Sequence, residues 1–336
     1  MNQQWARPTE FLAEQDISRE LASALMKLAP ANPFCTASYA EAIGAPGQPP
    51  WLLGTSRKGQ LITGCYGYLF SGHLNRGLQI PSLPDVPSDD DFWTGLLRFC
   101  SSHRLTSLEL QSFASKATHI PPLPGEVMRQ ERCEYVLDLE DPEWDRKIHK
   151  KHRYGIRKAL QARVTMRKGM GASACREHAR LLAATAERLR KRGVFISRDA
   201  EEQWAWSLLL EEKGAGELFQ AVAGEKVLSS VMVLRAAEGA YMETAGTSAE
   251  GMICGASHFL IYSVARALRE EAIREFNLGG AESNPGLSLF KSRFGATPVP
   301  LQSASFCLGS WVRRKLTHAA RSLRQIASAS LRGIRG

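Results

Sequence analysis

The sequence predicts an α/β protein with α+β mixed sheets: two similarly ordered halves, a basic linking helix, and a basic amphipathic tail. Three observations predict this. Period-two apolar runs bounded by turn residues alternate with one-sided helical stretches along the chain. The order helices, antiparallel meander, helix, strand occurs twice, which reads as a structural duplication without a residue-level repeat. The positive charge sits in two segments and not across the whole surface.

In the first half, Ile17–Leu28 reads as a helix and Phe34–Ile43 as another after Pro33. Trp51–Thr55 and Leu61–Phe70 read as strands around the hairpin signal Ser56-Arg57-Lys58-Gly59. Gly77–Ile80 starts extended, and the prolines that follow end its pairing. A helix from Asp90 to Ser102 leads to strands at Ser107–Gln111 and Tyr135–Leu139, and a basic helix spans Trp144–Gln161. In the second half Val164–Arg167 is a strand, and Arg176–Arg192 and Ala200–Glu211 are helices. Glu217–Ala223, Val227–Leu234 and Tyr241–Thr247 form a meander. Ala256–Glu271 then carries apolar residues at 259, 260, 264, 267 and 268, one face of a helix.

The 336 residues suffice for two domains, and no apolar run approaches the ~18 residues that cross a bilayer. The start, MNQQWARPTEF, lacks the basic and apolar regions of a signal peptide, so a cytoplasmic location is expected. Seven cysteines without a C-x-x-C pair read as reduced thiols and not as a disulfide framework. His149 and His152 have i,i+3 spacing, but the surrounding cations oppose a metal ion, so no metal is expected.

The net charge is +9, yet residues 146–168 hold ten Lys or Arg and no acid, and residues 311–336 hold seven more and no acid. In the basic helix Ile148, His152, Ile156, Ala159 and Leu160 line one side, while Arg146, Lys150, Arg153 and Arg157 recur on another. That face suits a diphosphate held by bidentate arginines, an RNA backbone, or simple solvation. In the tail Val312, Leu316, Ala319, Leu323, Ile326 and Leu331 form a stripe opposite the arginines. Such a stripe suits an anionic membrane surface, docking on the protein's own body, or no fixed structure.

The stretch Phe276–Gly295, FNLGGAESNPGLSLFKSRFG, is the most informative. A short strand breaks on Gly279-Gly280, a pair free to adopt positive φ. Ser283-Asn284-Pro285 then signals a helix start. The short helix carries Leu287, Leu289, Phe290 and Phe294 as anchors, with Lys291, placed near its start, and Arg293 projecting elsewhere. A glycine break between strand and capped helix points to a ligand cleft at a sheet end.

Two passages resemble the Fem-type and CelD-like branch of the GNAT acyltransferase superfamily. Lys150–Ala159 (KKHRYGIRKA) is similar to the family's basic linking helix. Phe276–Gly280 followed by Phe290-Lys291-x-x-Phe294-Gly295 is similar to its ending. The order of elements fits from about residue 10 to 307. The resemblance implies a GNAT-like half at 1–143, a linking helix at 144–162, a second half with donor and active site at 163–308, and a tail at 309–336. It also implies acyl-CoA as donor, without a metal. The usual Q/R-x-x-G-x-G/A pyrophosphate loop corresponds here to Gly251–Ser257, which lacks the leading Gln or Arg, so Gly255, Ala256 and Ser257 are the expected donor-binding residues. Some Fem-type relatives take their acyl group from aminoacyl-tRNA, which makes tRNA a second expected partner.

Acyl transfer to an amine needs an aligned donor, a stabilised oxyanion and a proton acceptor. Lys291 is the expected oxyanion or phosphate partner, as the resemblance implies. Alternation places Tyr241, Glu243, Ala245 and Thr247 on one strand face, making Glu243 a candidate base and Tyr241 a donor or relay. His258 polarises a carbonyl or packs. Arg153, Arg157, Lys150, Ser283 and Asn284 are the expected acceptor contacts. The expected function is N-acyl transfer to an amine on a cell-envelope, polysaccharide or nucleotide-linked sugar precursor, at the inner face of the membrane if the tail binds there. The alternatives are an aminoacyl-tRNA-dependent peptidoglycan-bridge-type transferase and a non-enzymatic adaptor for RNA or membrane. The Phe290-Lys291 block separates them, since an adaptor does not require it.

Overall fold

The computed structural model describes residues 9–44, 49–72, 75–87, 90–117, 119–191, 199–281 and 284–309. Ser283 and the tail stripe beyond 309 lie outside the described residues. Along the chain run β1 (Glu10–Glu14), α1 (Arg19–Leu28), a 3-10 turn (Pro33–Cys35), α2 (Ala37–Ile43), β2 (Trp51–Arg57), β3 (Gln60–Gly72), β4 (Asn75–Ile80), α3 (Asp91–Ser102), β5 (Ser107–Leu110) and β6 (Glu126–Asp138). Then come a second 3-10 turn (Trp144–Lys147), α4 (Lys150–Gln161), β7 (Thr165–Gly169), α5 (Gly171–Arg190), α6 (Ala200–Glu212), β8 (Gly216–Ala223), β9 (Lys226–Arg235) and β10 (Gly239–Thr247). The last elements are α7 (Ala249–Cys254), α8 (Ala256–Glu270), β11 (Glu275–Gly280), α9 (Pro285–Ser292) and β12 (Thr297–Cys307).

The chain forms two compact units, each discontinuous in sequence. The described residues of the first fall within 1–21, 46–132 and 301–336, and those of the second within 22–45 and 133–300. In the first unit β1, β2, β3 and β4 pair antiparallel in that order. β4 and β5 pair parallel across α3, and β12 pairs antiparallel with β5. α3 starts at Asp90, whose carboxylate accepts from Phe92 N at 2.8 Å. Its buried face (Phe92, Leu96, Phe99) meets Leu53, Leu78, Ile80, Leu108 and Phe306 in one core.

The second unit holds the segments that carry the candidate site. β7, β8, β9 and β10 form an antiparallel meander. α8 is the crossover that lets β11 lie parallel to β10, and β6 pairs antiparallel with β11. The one-sided stripe of α8 packs as expected: Phe259, Leu260, Val264 and Leu268 are buried with Val231, Val233, Ala240, Met242, Phe276, Leu278 and Phe294. Fully burying each such side chain contributes roughly 1.5–3 kcal/mol.

Several local readings change. The basic helix starts at Lys150 and not at Trp144, because Ile148 and His149 are extended and the His149 amide donates to Arg293 O at 2.8 Å. His149 is the cap, its Nδ1 accepting from Lys151 N at 3.2 Å. Leu160, expected on the apolar side, is exposed. β12 was hidden by Pro298 and Pro300 near its start, since proline argues against a paired strand. β1 and α7 are too short to leave a periodic signal.

Candidate active site

The site begins where two parallel strands part. The recorded pairs of β10 with β11 run from Gly239↔Glu275 to Tyr241↔Asn277 and end there. Beyond that point both strands are irregular. β10 shifts register between Met242 and Thr244, so Glu243 is a bulged residue, and β11 shifts between Asn277 and Gly280. Gly279 takes φ +73°, a conformation glycine adopts without cost. Bulges of this kind re-aim side chains beside active sites.

Three polar atoms from two other elements, β10 and α9, converge on Gly279. A Cβ there would stand 3.3 Å from Met242 O, 3.4 Å from Tyr241 Oη and 3.6 Å from Lys291 Nζ. Tyr241 Oη donates to Glu134 Oε1 at 3.1 Å. Asn277 Nδ2 donates to the other Glu134 oxygen at 2.8 Å, while Asn277 Oδ1 accepts from Gly279 N at 2.8 Å. Asn277 thereby fixes both the bulge and the carboxylate. Glu134 is 1% exposed and Lys291 3%, and buried charged groups persist only where they are hydrogen-bonded or paired.

Lys291 arrives by an unexpected route. It lies in the last turn of α9 and not its first, and it points inward and not away from the apolar anchors. Asn284 caps the helix by accepting from Leu287 N at 3.1 Å, with Pro285 at the first position. Two turns later Lys291 Nζ reaches back to donate to Gly280 O at 2.6 Å. The expected anchors Leu287 and Leu289 are exposed, whereas Phe294 is buried and Phe290 packs at the edge of the core.

The bulge also rearranges the β10 face. Glu243 does not continue the Tyr241 alternation, because the extra residue resets the register. Thr244 is buried and bonds His178 Nε2 at 2.9 Å, while His178 Nδ1 meets Ser230 Oγ at 2.6 Å. Ala245 is exposed, and Glu243 is half-buried. The 3-10 turn and α2 cover Tyr241: the Phe34 ring stands edge-on to the Tyr241 ring at 5.0 Å and to Tyr39 at 4.9 Å. Burial first, and the Glu243 charge second, push the Tyr39 hydroxyl well above its usual range.

The expected donor residues sit at the junction of α7 and α8. Gly255, at φ +83°, ends one helix and starts the next. Gly255 and Ala256 are buried and Ser257 is half-buried. A Cβ on Gly255 would stand 2.4 Å from Gly155 O, so this junction abuts α4. The amides of Gly255 and Ala256 therefore suit a pyrophosphate poorly. Lys150, Arg153 and Arg157 are exposed on α4. Arg153 turns back, its guanidinium donating to Arg146 O, and Arg146 itself pairs with Glu143 on the 3-10 turn. The expected row of four cations therefore reduces on α4 to Lys150, Arg153 and Arg157.

His258 packs. Its ring stands 4.5 Å from His152 and 5.2 Å from Phe290. His152 Nε2 donates to Phe290 O at 2.9 Å, one residue before Lys291. Burial lowers His152 to about 4 and lowers His258 as well. Among the described residues no group of three His, Cys, Asp or Glu is placed to hold a metal. The seven cysteines are unbridged, and burial pushes the Cys35 and Cys100 thiols up to about 12.

Glu134, Asn277, Phe34 and Tyr39 were not anticipated. Asn277 carried a signal, a polar residue inside an apolar strand. Glu134 lies in the polar run Arg129-Gln130-Glu131-Arg132, Cys133, Glu134, where nothing marks one acid above another.

This arrangement is that of the GNAT fold: a mixed sheet whose parallel strands part beside a crossover helix, with polar groups gathered where they part. Residues 146–291 match the acetyltransferase (GNAT) domain family. Solved structures agree over the longer chain. FemX, at 14% identity, aligns with a TM-score of 0.66 over 89% of this chain and 97% of its own. A tandem GNAT protein from the clavulanic acid biosynthesis pathway, at 11% identity, aligns at 0.53 over 89% and 97%. L-PGS from Bacillus licheniformis, at 13% identity, aligns at 0.52 over 91% and 97%. No curated protein matches. Residues 146–291 thus carry a GNAT domain, and the longer chain shares its fold with FemX and the tandem GNAT protein.

Proposed function

We propose that this chain transfers an acyl group to an amine on a phosphate-bearing cell-envelope or polysaccharide precursor, with its reaction centre beside Gly279. The observation that carries this reading is the convergence of Tyr241 Oη, Lys291 Nζ and the Glu134 carboxylate at the opening between β10 and β11. In the reaction the amine nitrogen bonds to the acyl carbonyl carbon, and the bond from that carbon to the donor's sulfur or oxygen breaks. Lys291 Nζ stands where it can donate to the oxygen that becomes negative. The proton lost by the amine passes to Tyr241 as its own hydroxyl proton moves to Glu134, and returns to the leaving group. Glu243, half-buried on the bulge, serves as the second carboxylate near the opening. The exposed Arg157 and Lys150, with Arg153, meet the acceptor's phosphate. Asn284, at the α9 start, lies on the acceptor side, and Ser283 beside it is outside the described residues.

Acyl-CoA is the first donor to test, with Ser257 as the most accessible residue of the expected cradle. The burial of Gly255 and Ala256 favours a second reading, in which the donor is an aminoacyl-tRNA held by the cations of α4. A thermal-shift series with CoA, acetyl-CoA, aminoacyl-tRNA and UDP-sugars separates them. A true donor at a hundredfold excess over its Kd stabilises the fold by roughly 2.7 kcal/mol. If no acyl donor of either kind moves the melting temperature, the acyl-transfer reading fails.

A further inference from the structure

Exposed aliphatic side chains stand on α7, whose end abuts the cation-bearing α4. On α4 the buried residues are His152, Gly155, Ile156 and Ala159. At 100° per residue, Lys151 and Lys158 stand on the flank next to Gly155, with Tyr154 between Lys158 and Arg157 on the outer face. Arg153 and Arg157 stand on the opposite flank. Gly155 is where the end of α7 abuts, through Gly255. Ile253, two residues before Gly255, is 71% exposed; Met252 is 49% and Tyr154 62% exposed. Met252 and Ile253 thus lie within three residues of the point where the end of α7 meets α4, and neither Lys151 nor Lys158 makes an ion pair among the described residues.

Large side chains this exposed, on a helix that meets a cation-bearing one, mark an interaction surface. We propose that this surface docks the second unit on an anionic lipid surface, with Ile253, Met252 and Tyr154 entering the headgroup boundary and Lys151 and Lys158 meeting lipid phosphates. Aliphatic tips favour lipid over RNA: Ile253 and Met252 offer neither a planar face for stacking a base nor a hydrogen bond to a phosphate. Apolar insertion beside lysines is the composition of an interfacial contact, with the tyrosine ring suited to the headgroup level. The proposal uses neither the tail residues nor Arg153 and Arg157, and it does not depend on the proposed reaction.

The test is co-sedimentation of the full chain with vesicles of phosphatidylcholine plus phosphatidylglycerol, against phosphatidylcholine alone. The expected result is binding to the anionic vesicles that falls with salt. Met252→Glu with Ile253→Glu should weaken partitioning at least about tenfold, and Lys151→Glu with Lys158→Glu by more than roughly fivefold for each residue. Both double variants should keep the wild-type melting temperature, since all four side chains are exposed. Unchanged binding in both variants assigns attachment to another segment and overturns the proposal. So does absence of vesicle binding, or a gel shift with tRNA that the same variants abolish while vesicle binding stays as in wild type.

Discussion

Tyr241 of β10 donates its hydroxyl to Glu134 of β6 at 3.1 Å, across the β11 strand that lies between them. The bond exists because β11 presents Gly279 there: a Cβ would stand 3.4 Å from the same oxygen. Two residues 107 positions apart are thus joined over a side chain that is missing.

That pair should be energetically coupled. Tyr241→Phe and Glu134→Gln, singly and together, should give a coupling of roughly 0.5–3 kcal/mol in urea unfolding, as for buried hydrogen-bonded partners. Once a substrate is in hand, Tyr241→Phe should lower kcat about a hundredfold or more. Strict additivity in both measurements would remove the relay.

Gly279→Ala tests the notch itself. An alanine at φ +73° is strained, and its methyl would press on Met242 O and Tyr241 Oη. We expect a loss of about 1–3 kcal/mol in stability together with loss of activity. A variant as stable as wild type would mean that β11 relaxes without harm.

Lys291→Met keeps the apolar stem and removes the ammonium that donates to Gly280 O. The expected cost is roughly 2.7–4 kcal/mol of transition-state stabilisation, a hundred- to a thousandfold in kcat. Lys291→Arg should rescue poorly, since a planar guanidinium does not fit the buried point. Near-normal turnover in Lys291→Met would leave the lysine a purely structural tether of α9.

Arg157→Ala should raise the acceptor KM roughly tenfold and reduce its dependence on salt, the size of one charge-assisted contact. Arg153→Ala should do less, because its guanidinium is already engaged with the Arg146 carbonyl. Equal kinetics across a salt titration for both variants would return them to solvation.

The buried histidines set a pH dependence. His152 is held near about 4 in the fold against 6.5 when unfolded, so between those values the unfolded chain binds the extra proton. Stability is therefore full above 6.5 and falls as the pH drops toward 4, by at most about 1.4 kcal/mol per pH unit for each such histidine. Denaturation from pH 7 to 4 should show this slope, and His152→Gln should flatten it. A flat wild-type profile would place His152 in water.

What the sequence determined by itself was periodicity and punctuation. The α8 stripe, the meander, the Gly279 break and the Asn284-Pro285 start are local patterns, written in neighbouring residues. Strand alternation made Tyr241 a candidate, and the resemblance carried by Phe290-Lys291 made Lys291 one. Only the tertiary structure decided which polar groups meet. Glu134 met Tyr241 and Asn277 through strand order. The bulge at Glu243 broke an alternation that nothing in the sequence interrupts, and α9 turned Lys291 inward while leaving Leu287 and Leu289 in water. Each of these depends on a partner strand or helix far away in the chain, and a side chain's surroundings are set by that partner and not by its neighbours in sequence.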